Sequence, residues 1–335
     1  MTRRSGETTF LLRRWSTPPA ARCGLGALAL IVAVATGCAR QTLILPVSIE
    51  PEVLQAGARP GSVRSYESAV HAVASIMVAE LGLPLPQRLT VFVYPSRAAY
   101  AAGLASVGRM SPQRAEKIAA YSVGLGQHRR LFINDEALRG ACPSVWLAVL
   151  AHELTHSAQY ELSGGRRGRS EQWLREGMAD WVAVRVLERL GETTFPRRRE
   201  RALGEVALAW SGREDTRFDL IELGGPLGWE RRHLGSGQLT YRLAFLATDA
   251  LIHRSGLDKL IDYFRAFADS DDRFNHFQAA FGVSLEEFEI DALRRIRTDL
   301  RGRDWTPLDE PPSPPDSARE ARTLDAVEPC VGGAH

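Results

Sequence analysis

Hydrophobic and polar residues follow periods along the chain that predict both helices and strands. Over residues 63–81 apolar side chains recur every three or four positions, and Gly82 ends the run, which predicts a helix. The β-branched and aromatic run Leu89–Pro95 predicts a buried strand, and a short helix is expected at Ala98–Leu104.

The second half of the chain has a helical pattern. Two more strands are predicted at Ala119–Gly124 and Arg130–Ile133, joined by a polar turn. Beyond Asp135 the pattern predicts only helices, at 144–162, 171–190, 199–210, 239–254, 256–268, 272–281 and 284–301. These elements predict an α+β fold. An N-terminal lobe would hold a small mixed sheet and helices, and the C-terminal lobe would be all-helical.

The N-terminal segment has the layout of a secretory signal. Residues 1–22 contain five arginines, and the uncharged run GLGALALIVAVATGC follows. That run is shorter than the ~20 residues that a bilayer-spanning helix needs. Residues 1–37 therefore predict a signal peptide. ATGC resembles a bacterial lipobox with Cys38 as the lipidated residue, although Ala35 stands where Leu is preferred. Ordinary cleavage near Gly37 and an uncleaved anchor are the alternatives.

The signal and the chain ends set the expected location and domain limits. We expect export across the inner membrane, a tether over 38–62, a folded domain over 63–302 and a Pro-rich disordered tail over 303–335. A lipid on Cys38 would anchor the chain in the cell envelope. The formal charge of +2 does not predict a general nucleic-acid surface.

If Cys23 leaves with the signal peptide and Cys38 is acylated, two cysteines remain, Cys142 and Cys330. In an oxidising compartment they could form one disulfide, and two free thiols are the alternative.

The HELTH motif, residues 152–156, is the first candidate for a catalytic or metal-binding site. On a helix, His152 and His156 are four residues apart and share a face, so both imidazoles can reach one metal ion. Glu153 can lie beside a water on that ion and accept its proton. Exposed histidines on a surface helix are the alternative interpretation.

The segment WLREGMADW supplies carboxylates with the same spacing. Glu176 and Asp180 project from one face of a helix whose other residues are mostly bulky and apolar. Burial of two carboxylates there would be costly unless they are paired or bound to metal. Glu176 is the candidate third ligand, and Asp180 is the candidate acceptor that fixes the tautomer of a ligand histidine. A solvated acidic face is the alternative.

Together the two motifs resemble those of the gluzincin zinc metallopeptidases, and WLREGMADW is similar to the peptidase MA-like group. This resemblance implies a zincin-like fold with the active-site helix between the lobes. It also implies one Zn²⁺ ion with ligands His152, His156 and Glu176. Glu153 would be the general base and proton shuttle.

The resemblance also implies two less specific features of the cleft. Zincins bind substrate backbone along an edge strand, for which Ser122–Gly126 is the candidate, with a plain hairpin as the alternative. Tyr241, expected near the start of a helix, is the candidate donor to the developing negative charge. Ring packing is the alternative for Tyr241, and His233 is a rival donor. The aminopeptidase branch of the family uses an acidic residue near this strand to bind the free amine of the substrate. No acidic residue occurs between Ile118 and Asn134, which disfavours an aminopeptidase.

The sequence therefore predicts a zinc metallopeptidase of the EC 3.4 class at the cell envelope, acting on peptide or protein substrates. A non-catalytic zinc-binding envelope lipoprotein is the main alternative, although Glu153 is not needed to hold metal. Hydrolysis of amide bonds in cell-wall material is a third hypothesis that the sequence does not separate from proteolysis.

Overall fold

The computed structural model describes residues 41–49, 63, 65–211 and 219–300, and it describes only the backbone at 210–211 and 233–238. The predicted signal peptide (1–37), the predicted lipidation site Cys38 and the predicted tail (303–335) lie outside the described residues.

The four strands form one mixed sheet. They are β1 Leu43–Ser48, β2 Arg88–Tyr94, β3 Gly124–Gln127 and β4 Arg130–Asn134. Their order is β1-β2-β4-β3, with β2 and β4 parallel and both outer pairs antiparallel. This small mixed sheet confirms the predicted α+β class, and it makes β3 an edge strand.

β1 corrects one prediction, because it lies within the segment 38–62 expected to be a tether. It pairs along its length with β2, with Leu43 opposite Val93. Pro46 lacks an N–H, which an edge strand tolerates. The tether prediction is therefore wrong for residues 43–48, where the apolar LILPV run completes the sheet.

Twelve α-helices occur among the described residues. Those before the metal motif are α1 Tyr66–Ala79, α2 Arg97–Ser106, α3 Pro112–Tyr121 and α4 Asp135–Leu138. The motif-bearing pair is α5 Pro143–Leu162 and α6 Gln172–Arg189. The rest are α7 Phe195–Ser211, α8 Leu220–Gly224, α9 Pro226–Ser255, α10 Leu257–Arg265, α11 Arg273–Phe281 and α12 Leu285–Leu300, with a 3₁₀ turn at Ala266–Ala268. No helix in these ranges has the length and apolar character to cross a membrane.

The strand predicted at Ala119–Gly124 is wrong except at its last residue, Gly124. Ser111 caps α3 through a hydrogen bond from the backbone N–H of Arg114, and Pro112 occupies the first turn, so the helix extends through Tyr121. Ala115, Ile118 and Ala119 recur at helical spacing and are buried. β3 consequently starts only at Gly124.

The start predicted for the helix at 239–254 is also wrong. α9 begins at Pro226, a residue suited to a first helical turn, and it continues through the glycines at 235 and 237. Glycine disfavours a helix by about 1 kcal/mol relative to alanine, which is a small cost beside the packing of a long helix. Tyr241 therefore lies in the middle of α9 rather than near a helix start.

One hydrophobic cluster connects the sheet to the helices. It includes Val91 of β2, Leu150 of α5, Met178 of α6 and Leu251 of α9. A second, smaller cluster packs α2 and α3 against side chains of β2 and β4 such as Tyr94 and Phe132. Cys142, at the start of α5, is disulfide-bonded. Cys330 lies outside the described residues.

Candidate metal centre

The three predicted ligands meet where α5 packs against α6. Oε2 of Glu176 lies 3.2 Å from Nε2 of His152 and 3.5 Å from Nε2 of His156. The candidate ligand atoms all lie within 4.8 Å of one another. Residues from two separate helices thus converge on one point.

The spacing and chemistry of these atoms fit a zinc ion. Around a tetrahedral zinc with bonds of about 2.0–2.2 Å, neighbouring ligand atoms are about 3.3–3.6 Å apart. The two separations from Glu176 Oε2, 3.2 and 3.5 Å, are close to that edge length, and all candidate ligand atoms lie within 4.8 Å of one another. Two imidazoles and one carboxylate are also the ligand set of several catalytic zinc sites that keep a fourth position open.

Both imidazoles are oriented by acceptors on their other nitrogen. Nδ1 of His152 lies 2.8 Å from Oδ1 of Asp180, as predicted, and Nδ1 of His156 lies 3.0 Å from Oε1 of Gln159. If each Nδ1–H donates to its oxygen, each Nε2 keeps its lone pair for a metal. Gln159 is not among the predicted site residues, although its position three residues after His156 on the same helix could have indicated it.

The Glu176 carboxylate is fixed by a second residue that sequence reasoning missed. Nε2 of Gln172 donates to Oε1 of Glu176 over 2.8 Å, which leaves Oε2 towards the histidines. Gln172 precedes Glu176 by one helical turn, so the spacing was visible in the sequence. A side-chain amide at that position specifies which carboxylate oxygen faces the imidazoles.

The centre is buried. His152, Glu153 and Glu176 are each 8% exposed, so the alternatives of surface histidines and a solvated acidic face are wrong. Burial by itself raises the pKa of Glu176, but His156 and His152 lower that pKa well below its ordinary value. Burial lowers the pKa of His152, but Asp180 and Glu176 raise it well above the ordinary range. The two histidines thus keep the Glu176 carboxylate ionised despite desolvation.

Glu153 faces the same cleft and packs against β3. A Cβ on Gly124 would lie 2.9 Å from Cγ of Glu153, so glycine is needed for this close approach. The backbone N–H of Gly126 hydrogen-bonds to the Glu153 carboxylate. Burial raises the pKa of Glu153, and the neighbouring histidines partly offset this effect. The edge strand therefore holds the carboxylate in place.

α6 is held in place by its close contact with α9. A Cβ on Gly177 would lie 2.2 Å from Oγ1 of Thr248 and 2.3 Å from the carbonyl oxygen of Ala244. The glycine next to Glu176 thus lets two helix backbones approach, and the position of the carboxylate depends on that contact.

Tyr241 of α9 lines the cleft beside the histidines. Its ring centroid lies 6.1 Å from that of His152 and 5.1 Å from that of Trp229. Burial and the nearby Glu176 carboxylate raise the pKa of its phenol well above the ordinary value, so the group carries a proton it can donate. The side chain of the rival donor, His233, lies outside the described residues.

The cleft has a volume of about 360 Å³ and passes directly over the centre. Its walls are the edge strand β3 and the helices α3, α5, α6 and α9. Its position beside an edge strand makes room for an extended chain next to His152, Glu153 and Glu176.

Comparisons of the chain with protein-family models, with curated proteins and with solved structures found no significant match.

Proposed function

We propose that the chain is a zinc-dependent peptidase of the gluzincin type with a zincin-like arrangement of lobes. The observation that supports this most strongly is the convergence of His152, His156 and Glu176 within 4.8 Å, in a cleft that Glu153 also lines. A site built only to hold metal has no use for an additional carboxylate that is not a ligand, so Glu153 favours a catalytic role over a purely binding one.

Zinc in this centre would act as a Lewis acid that polarises the substrate carbonyl and lowers the pKa of water to about 7. The Glu153 carboxylate, held by the Gly126 N–H, takes the proton of the attacking water. It then passes that proton to the nitrogen of the leaving amine. Tyr241 donates from its phenol to the oxygen on which negative charge develops.

The substrate would bind as an added strand along β3. β3 is the edge of the sheet next to the cleft, and residues 124–127 all line it. Backbone pairing with an edge strand fixes an extended peptide without selecting its side chains. Such binding places a backbone carbonyl across the centre, as hydrolysis of a peptide or protein requires.

The proposed location is the cell envelope. It depends on the signal-like segment 1–37 and on the lipobox-like residues before Cys38. Globomycin treatment of expressing bacteria, followed by mass measurement of the mature N-terminus, tests whether Cys38 is processed and acylated.

Replacement of the proposed base tests the enzymatic function directly. We expect the mature chain and Glu153→Gln each to bind one zinc ion, because Glu153 is not a ligand. Cleavage of an unfolded protein should be lost only in the variant. The exposed Glu116 of α3 provides the matched control, Glu116→Gln, which should cleave normally.

Two outcomes would count against the proposal. Undiminished cleavage by Glu153→Gln would remove the proposed mechanism. Zinc binding without cleavage of any peptide by the unaltered chain would instead support the non-catalytic alternative.

A further inference from the structure

The wall of the cleft beside α6 carries a buried arginine. Arg175 is 4% exposed and lines the cleft. Its Nη1 donates to the backbone oxygen of Arg167 over 2.8 Å and to Oγ of Ser170 over 3.1 Å. These bonds use only one of the three nitrogens of the guanidinium.

Arg175 has no counter-ion among the described residues. No carboxylate oxygen there lies within 4.0 Å of its guanidinium, whose other neighbours include the rings of Tyr160 and Phe264, each 6.0 Å away. The guanidinium of Arg175 is a cation at neutral pH, because an arginine side chain is not deprotonated in proteins. A buried cation without an ion-pair partner is costly, so a carboxylate that reached Arg175 from a ligand would be bound favourably.

A second arginine adds to the positive charge of this wall. Arg167 is exposed, lines the cleft and donates from Nη2 to Oε1 of Gln172 over 3.3 Å, but it also lacks an ion pair within the described part of the chain. Arg167 and Arg175 line the same cleft, and Nη1 of Arg175 donates to the backbone oxygen of Arg167. Their mutual repulsion would be relieved by a shared anion.

The carboxylates that line the cleft are already engaged. Glu176 contacts the histidines and Gln172, and Glu153 accepts from Gly126. Glu230 pairs with Lys117 across the cleft at 2.5 Å. The arginine pair is therefore available to a ligand.

We infer that Arg167 and Arg175 form a binding site for a carboxylate of the substrate. The inference rests on the proposed peptidase function and narrows its substrate class. The preferred peptides carry a carboxylate close to the bond to be cleaved, either on an acidic side chain or at the free C-terminus. Arginine suits this role because its planar group can bind both oxygens of a carboxylate.

A purely structural role is the competing explanation. Arg175 could serve only to hold the 163–170 connection through its bonds to Arg167 and Ser170. That role predicts no preference between charged and neutral ligands. The two explanations therefore predict different results when the binding of charged and neutral peptides is measured.

The test uses zinc-loaded, full-length Glu153→Gln, which should bind peptides without cleaving them. Four alanine-rich peptides of equal length serve as probes, with a central Glu or Gln and with a free or amidated C-terminus. Titration calorimetry should show about ten-fold tighter binding of the peptide that presents the recognised carboxylate, about 1.4 kcal/mol. Preference for Glu identifies a side chain as the source, and preference for the free terminus identifies the chain end.

Substitutions in the same background assign the preference to the arginines. Arg167→Gln should reduce it several-fold and Arg175→Gln should abolish it, with unchanged affinity for the neutral amide peptide. Arg175→Lys keeps the positive charge but lacks the planar guanidinium, so it should retain part of the preference. This variant keeps the test valid if Arg175→Gln folds poorly. Arg166→Gln is the matched control, because Arg166 is exposed and pairs with Asp271 at 3.3 Å.

The outcomes separate this inference from the proposed function. Equal binding of all four peptides, or a preference that survives both arginine substitutions, overturns the carboxylate site. If the unaltered chain cleaves peptides and all four probes bind equally, only the carboxylate site fails. If an arginine-dependent preference occurs in a chain that cleaves nothing, the site stands and the peptidase proposal fails.

Discussion

Asp180 Oδ1 lies 2.8 Å from Nδ1 of His152, and this contact joins α6 to α5 at the candidate metal centre. Glu176, one turn earlier on α6, contacts Nε2 of the same imidazole at 3.2 Å. One histidine is thus held on both nitrogens by two carboxylates from the neighbouring helix. The ring orientation is therefore set before a metal binds.

Replacement of Asp180 should weaken zinc binding without removing a ligand. We expect Asp180→Ala to lower zinc affinity about 10–100-fold, because the tautomer and orientation of His152 are no longer fixed. Competition with a chromophoric chelator measures the change. The exposed Asp258 of α10 gives the control, Asp258→Ala, which should bind zinc as the unaltered chain does. Equal affinities in the two variants would contradict the orienting role.

Gln159 should matter for folding as well as for metal. Its Oε1 lies 3.0 Å from Nδ1 of His156, and its Nε2 donates to the backbone oxygen of Arg175 over 2.9 Å. Gln159→Leu removes a side-chain hydrogen bond from the imidazole of His156 and another from the backbone of α6, and it should lower the free energy of unfolding of the metal-free chain by about 1–3 kcal/mol. Urea unfolding monitored by circular dichroism tests this.

The control for Gln159 is an exposed glutamine on a helix. Gln278→Leu on α11 should change the free energy of unfolding little. Equal stability of the two leucine variants would show that the bridge between α5 and α6 contributes nothing.

Two glycines of β3 should respond differently to the same substitution. A Cβ at Gly126 would lie 2.3 Å from the carbonyl oxygen of Glu153, and α5 backbone cannot move aside cheaply. At Gly124 the nearest atoms are Cγ and Oε1 of the Glu153 side chain, at 2.9 and 3.0 Å. We expect Gly126→Ala to cost about 1–3 kcal/mol of unfolding free energy. Gly124→Ala should instead retain stability and zinc but lose cleavage.

Thermal unfolding, zinc content and cleavage rate measured on both variants test this contrast. If Gly124→Ala cleaves normally, the contact between β3 and Glu153 does not position the carboxylate. If Gly126→Ala is as stable as the unaltered chain, β3 packs less closely against α5 than the structure places it.

The sequence predicted the convergence of the centre better than it predicted the elements around it. Spacings of four residues in His152/His156 and Glu176/Asp180 fix a shared face on each helix, so only the docking of α5 on α6 had to be inferred. The amide partner Gln159 was overlooked, although its position one helical turn after His156 was visible in the sequence.

The failures arose where tertiary contacts outweigh local pattern. The sequence of β1 resembles that of a linker, and its strand conformation depends on its pairing with β2. The first turns of α9 contain glycines that local propensity disfavours, and a long helix tolerates them at small cost. The need for glycine at position 177 follows from its close contact with Thr248 of α9. Each of these features depends on a partner that is remote in sequence.

A buried carboxylate at the start of α6 should make stability depend on pH. Glu171 is 0% exposed, and neither of its oxygens has a hydrogen-bond donor among the described residues, although Nε of Arg273 lies 3.0 Å from Oε1. Burial raises the pKa of Glu171 to about 7, Arg273 opposes that rise, and Glu286 adds to it. The folded chain therefore holds a proton there that the unfolded chain releases near pH 4.5.

This difference in proton binding fixes the sign of the effect. Between about pH 4.5 and 7 the folded state binds more protons at Glu171 than the unfolded state, so stability falls as pH rises. The shift corresponds to about 3 kcal/mol in unfolding free energy. Glu171→Gln removes the titration, so the variant should gain about that much relative to the unaltered chain between pH 5 and pH 8.

Urea unfolding of both metal-free chains at pH 5 and pH 8 measures this gain, since the titration of other groups cancels in the difference. Glu116→Gln, at an exposed position, should show no change in the difference between the two pH values. A gain that is equal at both pH values, or larger at pH 5, would mean that Glu171 is ionised in the folded chain throughout. Arg273 would then compensate its charge fully, despite the lack of a hydrogen bond between them.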